Sequence, residues 1–571
     1  MKLHIPEETI EELVLASGLI GKRELAQARA NADRLGQPLL DALFARDVVT
    51  EEYFTELLGP RIHVPIVNLE QRALEGKVVE RIPEAYAKAN NVVLFDLDEQ
   101  GGMGKIAMLD PLDYDTIEFL RAKLGVWLEP HLTFPESLRF GFKHYKKEIG
   151  EDFNKIISQN VKELLATSGK TDITKLAEAV PIVTILDSVI EHAVALNASD
   201  IHFEQLEKTV LVRFRIDGIL QEMLSLHASI APVLVARVKV LANLKIDEHR
   251  APQDGRFRHG EEDDPIDVRV SVMPTMRGEK VEMRLLRSIS RSMSLAELGL
   301  MADSGRLVEE EISKPHGMVL VTGPTGHGKT TTLYAMIQML NTPEVNIVTI
   351  EDPIEYEMER VNQTQVNARA GITFATGLRS MLRQNPDIVM VGEIRDEETA
   401  DIAVHAALTG HLVLSTLHTN NAPTALPRLI DMGAEPFLLV STVNVVIAQR
   451  LVRRNCSTCI AAVPVTEEQK RLMEAQRTLL DEAHVKSLPK TIYHGQGCDV
   501  CGHSGFRGQI GIFEVMRITE GVRTLVQRRA SASEIRTQAI KDGMVTMFED
   551  GLRKVQQGTT TIDEILRVVR E

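Results

Sequence analysis

Of the 571 residues, no stretch is long and apolar enough to read as a bilayer span: the nearest, 437–449, is broken by Ser441, Thr442, Asn444 and Gln449, whereas a spanning helix needs about 20 consecutive apolar residues. Residues 1–12 are charged and amphipathic, without the apolar core or small-residue cleavage site of a secretory signal. The expected location is therefore cytoplasmic, with the inner membrane reached only through partners. Aromatic residues are scarce, at 4% with a single Trp, which leaves little for base-stacking platforms. A surplus of basic residues is also missing. With Lys+Arg at 65 against Asp+Glu at 81, the formal net charge is −16, so no nucleic-acid partner is expected, because such partners are held by clustered Lys and Arg. Cysteines number only four.

Against these absences stands one dense motif. Gly323, Pro324, Thr325, Gly326, His327, Gly328, Lys329 and Thr330 follow the apolar run 318–321 and lead through Thr331 into a helix-compatible stretch. This is the pattern of a phosphate-binding loop in its required strand-to-helix setting. The glycines let backbone N–H groups converge on an anion, Lys329 can bridge the terminal phosphates of ATP, and the Thr330 hydroxyl is placed for Mg²⁺. A plain Gly-rich turn is the competing reading.

The length allows three or four domains. A weak duplication relates 13–25 to 42–54, each copy reading as helix, tight turn, capping residue and second helix, though an ordinary helical bundle would show the same periodicity. Within 60–145, strand-like runs (91–95, 105–108) alternate with a helical run at 114–124, which suggests a small α/β module. The segment 146–178 reads as a linker. From about 179 to 301 a second α/β domain shows alternating strands at 211–216, 266–272 and 280–286. Arg213 and Arg215 lie on the first of these strands, Arg269 and Arg284 on the other two. Any one of these arginines would by default face solvent, but together they form a candidate clamp for phosphate charge.

From 302 to 571 the strands become continuous apolar runs (318–321, 347–350, 388–391, 412–415) separated by helices, the signature of a parallel sheet covered on both faces. Ligands in such sheets bind beyond the carboxyl ends of the strands. There the sequence places Glu351, Asp352 and Glu355, then Glu393, Arg395 and Asp396, then His418, with His411 at the start of the last strand. A solitary acid at a strand end is usually a helix cap and a solitary His a structural residue. Three such ends beside one phosphate loop favour a coordinated site.

The cysteines form two knuckles, Cys456-x-x-Cys459 and Cys498-x-x-Cys501. Four thiolates at this spacing suit tetrahedral Zn²⁺ in a closed structural site, with a helical run at 466–482 in the insert between them. Disulfides are disfavoured in the reducing compartment expected here.

The runs GPTGHGKTTTLYA, TIEDPIEY, RQNPDIVMVGEIRDEETA and TGHLVLSTLHTNNA resemble the Walker A, Asp box, Walker B and His box of the secretion ATPases. The chain looks like a type IV pilus extension ATPase or a type II secretion protein E. Further similarity lies in ASDIHFE, VRFRIDG, PQDGR, RGEKVEMRLL and EDGLRKVQQG, strong over 180–571 and loose over 1–145. The resemblance implies an α/β architecture. A RecA-like P-loop domain (302–571, with the tetracysteine insert 456–501 and a helical part 515–571) would follow a PAS-like α/β domain (179–301) and a smaller helical/α+β region (1–145). The last would comprise a helical repeat (1–59) and an α/β module (60–145) and dock on the machine.

It also implies a hexameric ATPase that assembles pilin or pseudopilin filaments through an inner-membrane platform protein and cytoplasmic assembly proteins. In that arrangement Lys329 and Thr330 hold phosphates and Mg²⁺, and Glu393 serves the metal and water network. Glu351 is the first choice and Glu355 the second for polarising the attacking water. His418 senses the γ-phosphate, and Arg269 and Arg284 neutralise developing charge. Some members carry a tetracysteine insert, and in some the N-terminal domain binds cyclic di-GMP; the triplet Arg34-Leu35-Gly36 partly matches that pattern.

Two positions depart from the family: His327 stands where Ser is common and Asn421 where Asp is common. Position 327 is expected to act chiefly through its backbone N–H. A nucleic-acid translocase would want a basic channel. A scaffold that binds ATP without turnover would lose Glu351 and Glu393, and a retraction motor would lack the N-terminal region and the cysteine insert.

Overall fold

The computed structural model describes residues 7–17, 21, 25, 29, 39–44, 51–72, 74–98, 101–142, 157, 159–160, 179–260, 265–287, 293–475 and 491–569. Much of the 13–25/42–54 duplication, the Arg34-Leu35-Gly36 triplet and nearly all of the 146–178 linker lie outside them. The chain divides into two compact units, one of Met1–Ile216, Leu220–Gly255 and Val270–Met283, the other of Asp217–Ile219, Arg256–Arg269 and Arg284–Glu571.

In the first unit, helices Glu7–Ala16, Leu39–Phe44 and Glu51–Ile62 bury Val14, Leu40, Leu43, Phe54 and Leu58 against one another. Next comes a three-stranded sheet, β1 (Val92–Asp98), β2 (Met103–Met108) and β3 (Trp127–Leu132), in that spatial order. The first pair is antiparallel and the second parallel. The parallel crossover is the helix Tyr114–Leu124, started by the Asp113 side chain accepting from Thr116 N–H and stopped by Gly125 in the left-handed region, as capping rules require. Residues 200–287 form a six-stranded sheet whose residues are divided between the two units. It is built from β4 (Asp200–Gln205), β5 (Thr209–Ile216), β6 (Ile219–His227), β7 (Gln253–His259), β8 (Ile266–Thr275) and β9 (Gly278–Arg287), in the order β6-β5-β4-β9-β8-β7.

The second unit is organised by a seven-stranded sheet of β10 (Gly317–Thr322), β11 (Ile347–Glu351), β12 (Val361–Gln365), β13 (Ile388–Val391), β14 (Leu412–Leu417), β15 (Val443–Asn455) and β18 (Phe506–Arg517), in the order β12-β11-β13-β14-β10-β15-β18. All neighbours are parallel except β15 and β18. The strands β10, β13 and β14 are buried along their whole length because both faces are covered. One face packs Leu320, Val391, Ala403, Val413 and Leu439, the other Val319, Val321, Leu333, Tyr334 and Met390. This is the RecA-like arrangement, with β10 between β14 and β15. β10, β13 and β14 run parallel, so the loops after them open at the same carboxyl end of the sheet. Between β15 and β18, β16 (Ile460–Pro464) and β17 (Thr491–Gly495) pair antiparallel, with helix Glu467–Ala475 between them; residues 476–482 of the expected helical run lie outside the described residues.

Candidate functional site

Three backbone turns in the left-handed region shape the loop after β10, at Gly323 (φ 148°), Gly326 (φ 77°) and Gly328 (φ 77°). A side chain at 323 would stand 2.6 Å from the Gln449 carbonyl oxygen, so this close pass against β15 admits only glycine. Lys329 opens the next helix, with Thr330 and Thr331 in its first turn. The Lys329 ammonium donates to the carbonyls of Gly323 (2.9 Å) and Pro324 (3.1 Å). Burial holds its pKa below the ordinary lysine value, while nearby Glu393 acts in the opposite sense. An ammonium short of solvent and parked on two neutral carbonyls is poised to exchange them for phosphate oxygens.

His327 does more than lend its backbone. Its Nδ1 accepts the N–H of Leu451 at 3.0 Å, and its own carbonyl accepts from Gln449 Nε2 at 2.5 Å. Gln449 Oε1 in turn accepts from Thr332 Oγ1 at 2.7 Å. Burial, with help from Arg450, Lys329 and Arg567, depresses the His327 pKa to about 4, so the ring is neutral and serves as an acceptor. These long-range bonds brace the phosphate loop against β15.

Beyond β13, Glu393 is buried and shared: one oxygen lies 3.1 Å from His418 Nε2, the other 2.6 Å from Arg395. Strand register dictates this meeting, since Val391 pairs with Ser415 and both chains leave the sheet together. Asp396 caps the following helix by accepting from Thr399 N–H, and Asn421 likewise accepts from Thr424. His411, at the other end of β14, is tied to the Ala406 carbonyl at 3.0 Å.

Glu351 and Glu355 sit in different surroundings. Glu351 is 2% exposed and takes donors from Tyr334, from Thr349 at 2.6 Å and from Gln363 at 3.2 Å; burial raises its pKa despite them. Glu355 is 37% exposed and 3.4 Å from Arg269, whose guanidinium also donates to the Ile354 carbonyl at 2.9 Å. Arg284 is exposed on β9. Arg213 and Arg215 are engaged within their own sheet, with Glu204 (2.7 Å) and Asp200 (3.2 Å). The Glu351–Tyr334 link and the Gln449 brace were missed in the sequence; TTTLYA and the AQR triplet 448–450 were the available signals.

The four cysteine sulfurs all lie within 4.8 Å of one another, with 456–498 and 459–501 at 3.9 Å and 498–501 at 3.7 Å. A tetrahedral ion with bonds of about 2.3 Å puts its sulfurs about 3.8 Å apart. Backbone N–H groups of Gly497, Cys498 and Gly505 point at these sulfurs (3.2–3.3 Å), an arrangement suited to thiolates. The ladder of β16 and β17 brings the knuckles together. Beside it Gly495 and Gly505 cross so closely that a side chain at 495 would lie 2.0 Å from the Gly505 carbonyl oxygen. The donor set therefore fits zinc.

Fold and loop together define a P-loop ATPase. The family model described as type II/IV secretion system protein matches residues 175–567, and the MshEN domain matches 62–151. The chain is 38% identical over 565 residues to a type IV pilus assembly ATPase PilB of Myxococcus xanthus, covering 97% of this chain and 98% of that one. It is 47% identical over 400 residues to a type II secretion system protein E of Pseudomonas aeruginosa, covering 70% of this chain and 78% of the relative. Among solved structures, the DotB ATPase of Yersinia pseudotuberculosis aligns with a TM-score of 0.50 at 20% identity, over 68% of this chain and 93% of the other, a likeness of fold. The chain belongs to the type II/IV secretion system protein family, the ATPases of pilus and secretion machines. No helix among the described residues is long and apolar enough to cross a membrane.

Proposed function

We propose that this chain is a hexameric motor in which MgATP hydrolysis drives assembly of a pilin or pseudopilin filament through an inner-membrane platform protein. The observation that carries this reading is the convergence, within one unit, of the Lys329 loop with the Glu393–His418–Arg395 cluster and the Glu355–Arg269 pair. Lys329 and the loop N–H groups would take the β- and γ-phosphates, and the Thr330 hydroxyl and Glu393 would hold magnesium directly and through water; the ion supplies charge neutralisation there. His418, already on Glu393, would register whether the γ-phosphate is present. For the attacking water the reading favours Glu355 over Glu351: Glu355 offers a partly exposed carboxylate, whereas Glu351 is buried under three donors. Arg269, now on Glu355, would exchange to the phosphates, with Arg284 as its companion, as the domain of 179–301 closes over nucleotide and reopens after hydrolysis.

Residues 1–145 would dock on the platform and other cytoplasmic assembly proteins, placing the chain in the cytoplasm at the inner membrane. The four cysteines would hold one zinc that stiffens the insert. The test is twofold. Native mass measurement with a nonhydrolysable ATP analogue should give six protomers and one zinc each, and Lys329→Ala should abolish hydrolysis; a persistent monomer or a fully active variant would remove the proposal. The MshEN match brings cyclic di-GMP to a direct trial: calorimetric titration into the full chain, where absence of heat removes this ligand.

A further inference from the structure

Tyr334 is fully buried on the helix that begins at Lys329, and its hydroxyl joins three separate pieces of the site. It donates to Glu351, accepts the Glu355 N–H at 3.4 Å and lies 3.3 Å from Gln363 Nε2. Gln363 reaches on to Glu351 (3.2 Å) and to the Tyr356 carbonyl (3.1 Å). The Tyr356 ring packs edge-on against that of Tyr334, with centroids 4.5 Å apart at 88°.

A core tyrosine needs one partner for its hydroxyl; here the single donor and both lone pairs are engaged. A buried carboxylate is costly, and a Phe–Leu pair would fill the same space without one. What the polar arrangement adds is a fixed distance between the phosphate-loop helix and the backbone of 351–356. Glu355 has its side chain on the surface beside Arg269, so its placement depends on where that backbone is held.

We infer that Tyr334 is a positioning residue for hydrolysis: through its hydroxyl, the helix that carries the phosphate lysine sets where Glu355 stands. This rests on Glu355 being the residue that orients water. Displacement of such a group by about 1 Å costs on the order of a hundredfold in rate, without any contact to nucleotide being lost.

The test uses the full chain with MgATP. In Tyr334→Phe, kcat falls about 10- to 100-fold, the Kd for a nonhydrolysable ATP analogue stays within about twofold, and the Glu355 amide exchanges hydrogen faster than in the parent. Unchanged kcat overturns the inference. So does an affinity loss that keeps step with kcat, since the tyrosine would then only hold the phosphate loop together. If Tyr334→Phe folds poorly, the parent chain decides: its Glu355 amide exchanges as slowly as the buried amides of the helix that begins at Lys329, and exchange at the rate of an exposed loop amide overturns the inference. Glu355→Gln isolates the underlying reading, losing turnover while retaining amide protection. Turnover surviving there defeats the water role alone, and the amide measurement still decides whether Tyr334 sets the position of Glu355.

Discussion

The phosphate loop and the first cysteine knuckle are both tied to one strand, β15, yet the two sites are held in opposite ways. At the knuckles the four sulfurs lie within 4.8 Å of one another, and backbone N–H groups donate to two of them, those of Cys459 and Cys501. At the loop, by contrast, the charged groups occupy partners they can give up: Lys329 its own loop carbonyls, Glu393 a histidine and an arginine, Arg269 a surface carboxylate. A structural metal site is complete in itself, whereas a hydrolytic site must leave its strongest groups exchangeable.

That contrast can be broken by substitution. Lys329→Ala removes the exchangeable cation and should lower ATPase turnover by at least about a hundredfold, measured as phosphate release. Arg269→Ala should reduce kcat about tenfold or more with a small change in KM if the arginine moves from Glu355 to phosphate; equal loss in both would mean it only orders the ground state. At the closed site, the double change Cys456→Ser with Cys498→Ser should abolish zinc in elemental analysis and lower the melting temperature, while nucleotide affinity falls less than in Lys329→Ala. A knuckle variant that keeps its zinc would break the comparison. The smallest effect concerns His327. Its folded pKa, depressed to about 4 from an ordinary 6.5, means the unfolded chain takes up the proton first, so the ring's contribution is present above pH 6.5 and is lost as pH falls towards 4. His327→Ser should therefore narrow the difference in melting temperature between pH 7 and pH 5.

The apolar runs at 318–321, 347–350, 388–391 and 412–415 all appear as neighbouring strands β10, β11, β13 and β14, because a strand buried on both faces needs an unbroken hydrophobic run. The helical run at 114–124 is the helix Tyr114–Leu124, which Asp113 caps and Gly125 stops. The stretch 437–449 was ambiguous. It turns from helix Pro436–Thr442 into strand β15 at Val443, and β-branched valines fit either burial pattern. At the site, strand ends foretold the meeting of Glu393 and His418. They could not foretell that Gln449 reaches across 117 positions to Thr332, or that Arg213 and Arg215 spend their charge on Glu204 and Asp200. Periodicity records which face of an element is apolar; it carries no record of which distant polar group arrives to meet it.

β15 has one last consequence. Gln449 and Leu451 grip the phosphate loop, and Cys456 directly follows the strand. Seven residues of extended chain span about 23 Å from Gln449 to the first thiol, and over this length β15 is paired to β18, with a register shift between Arg453 and Asn455. One strand thus fastens the phosphate loop and leads to the first thiol, so a change that unseats the Gln449 brace acts on the same chain that ends at the cysteine cluster.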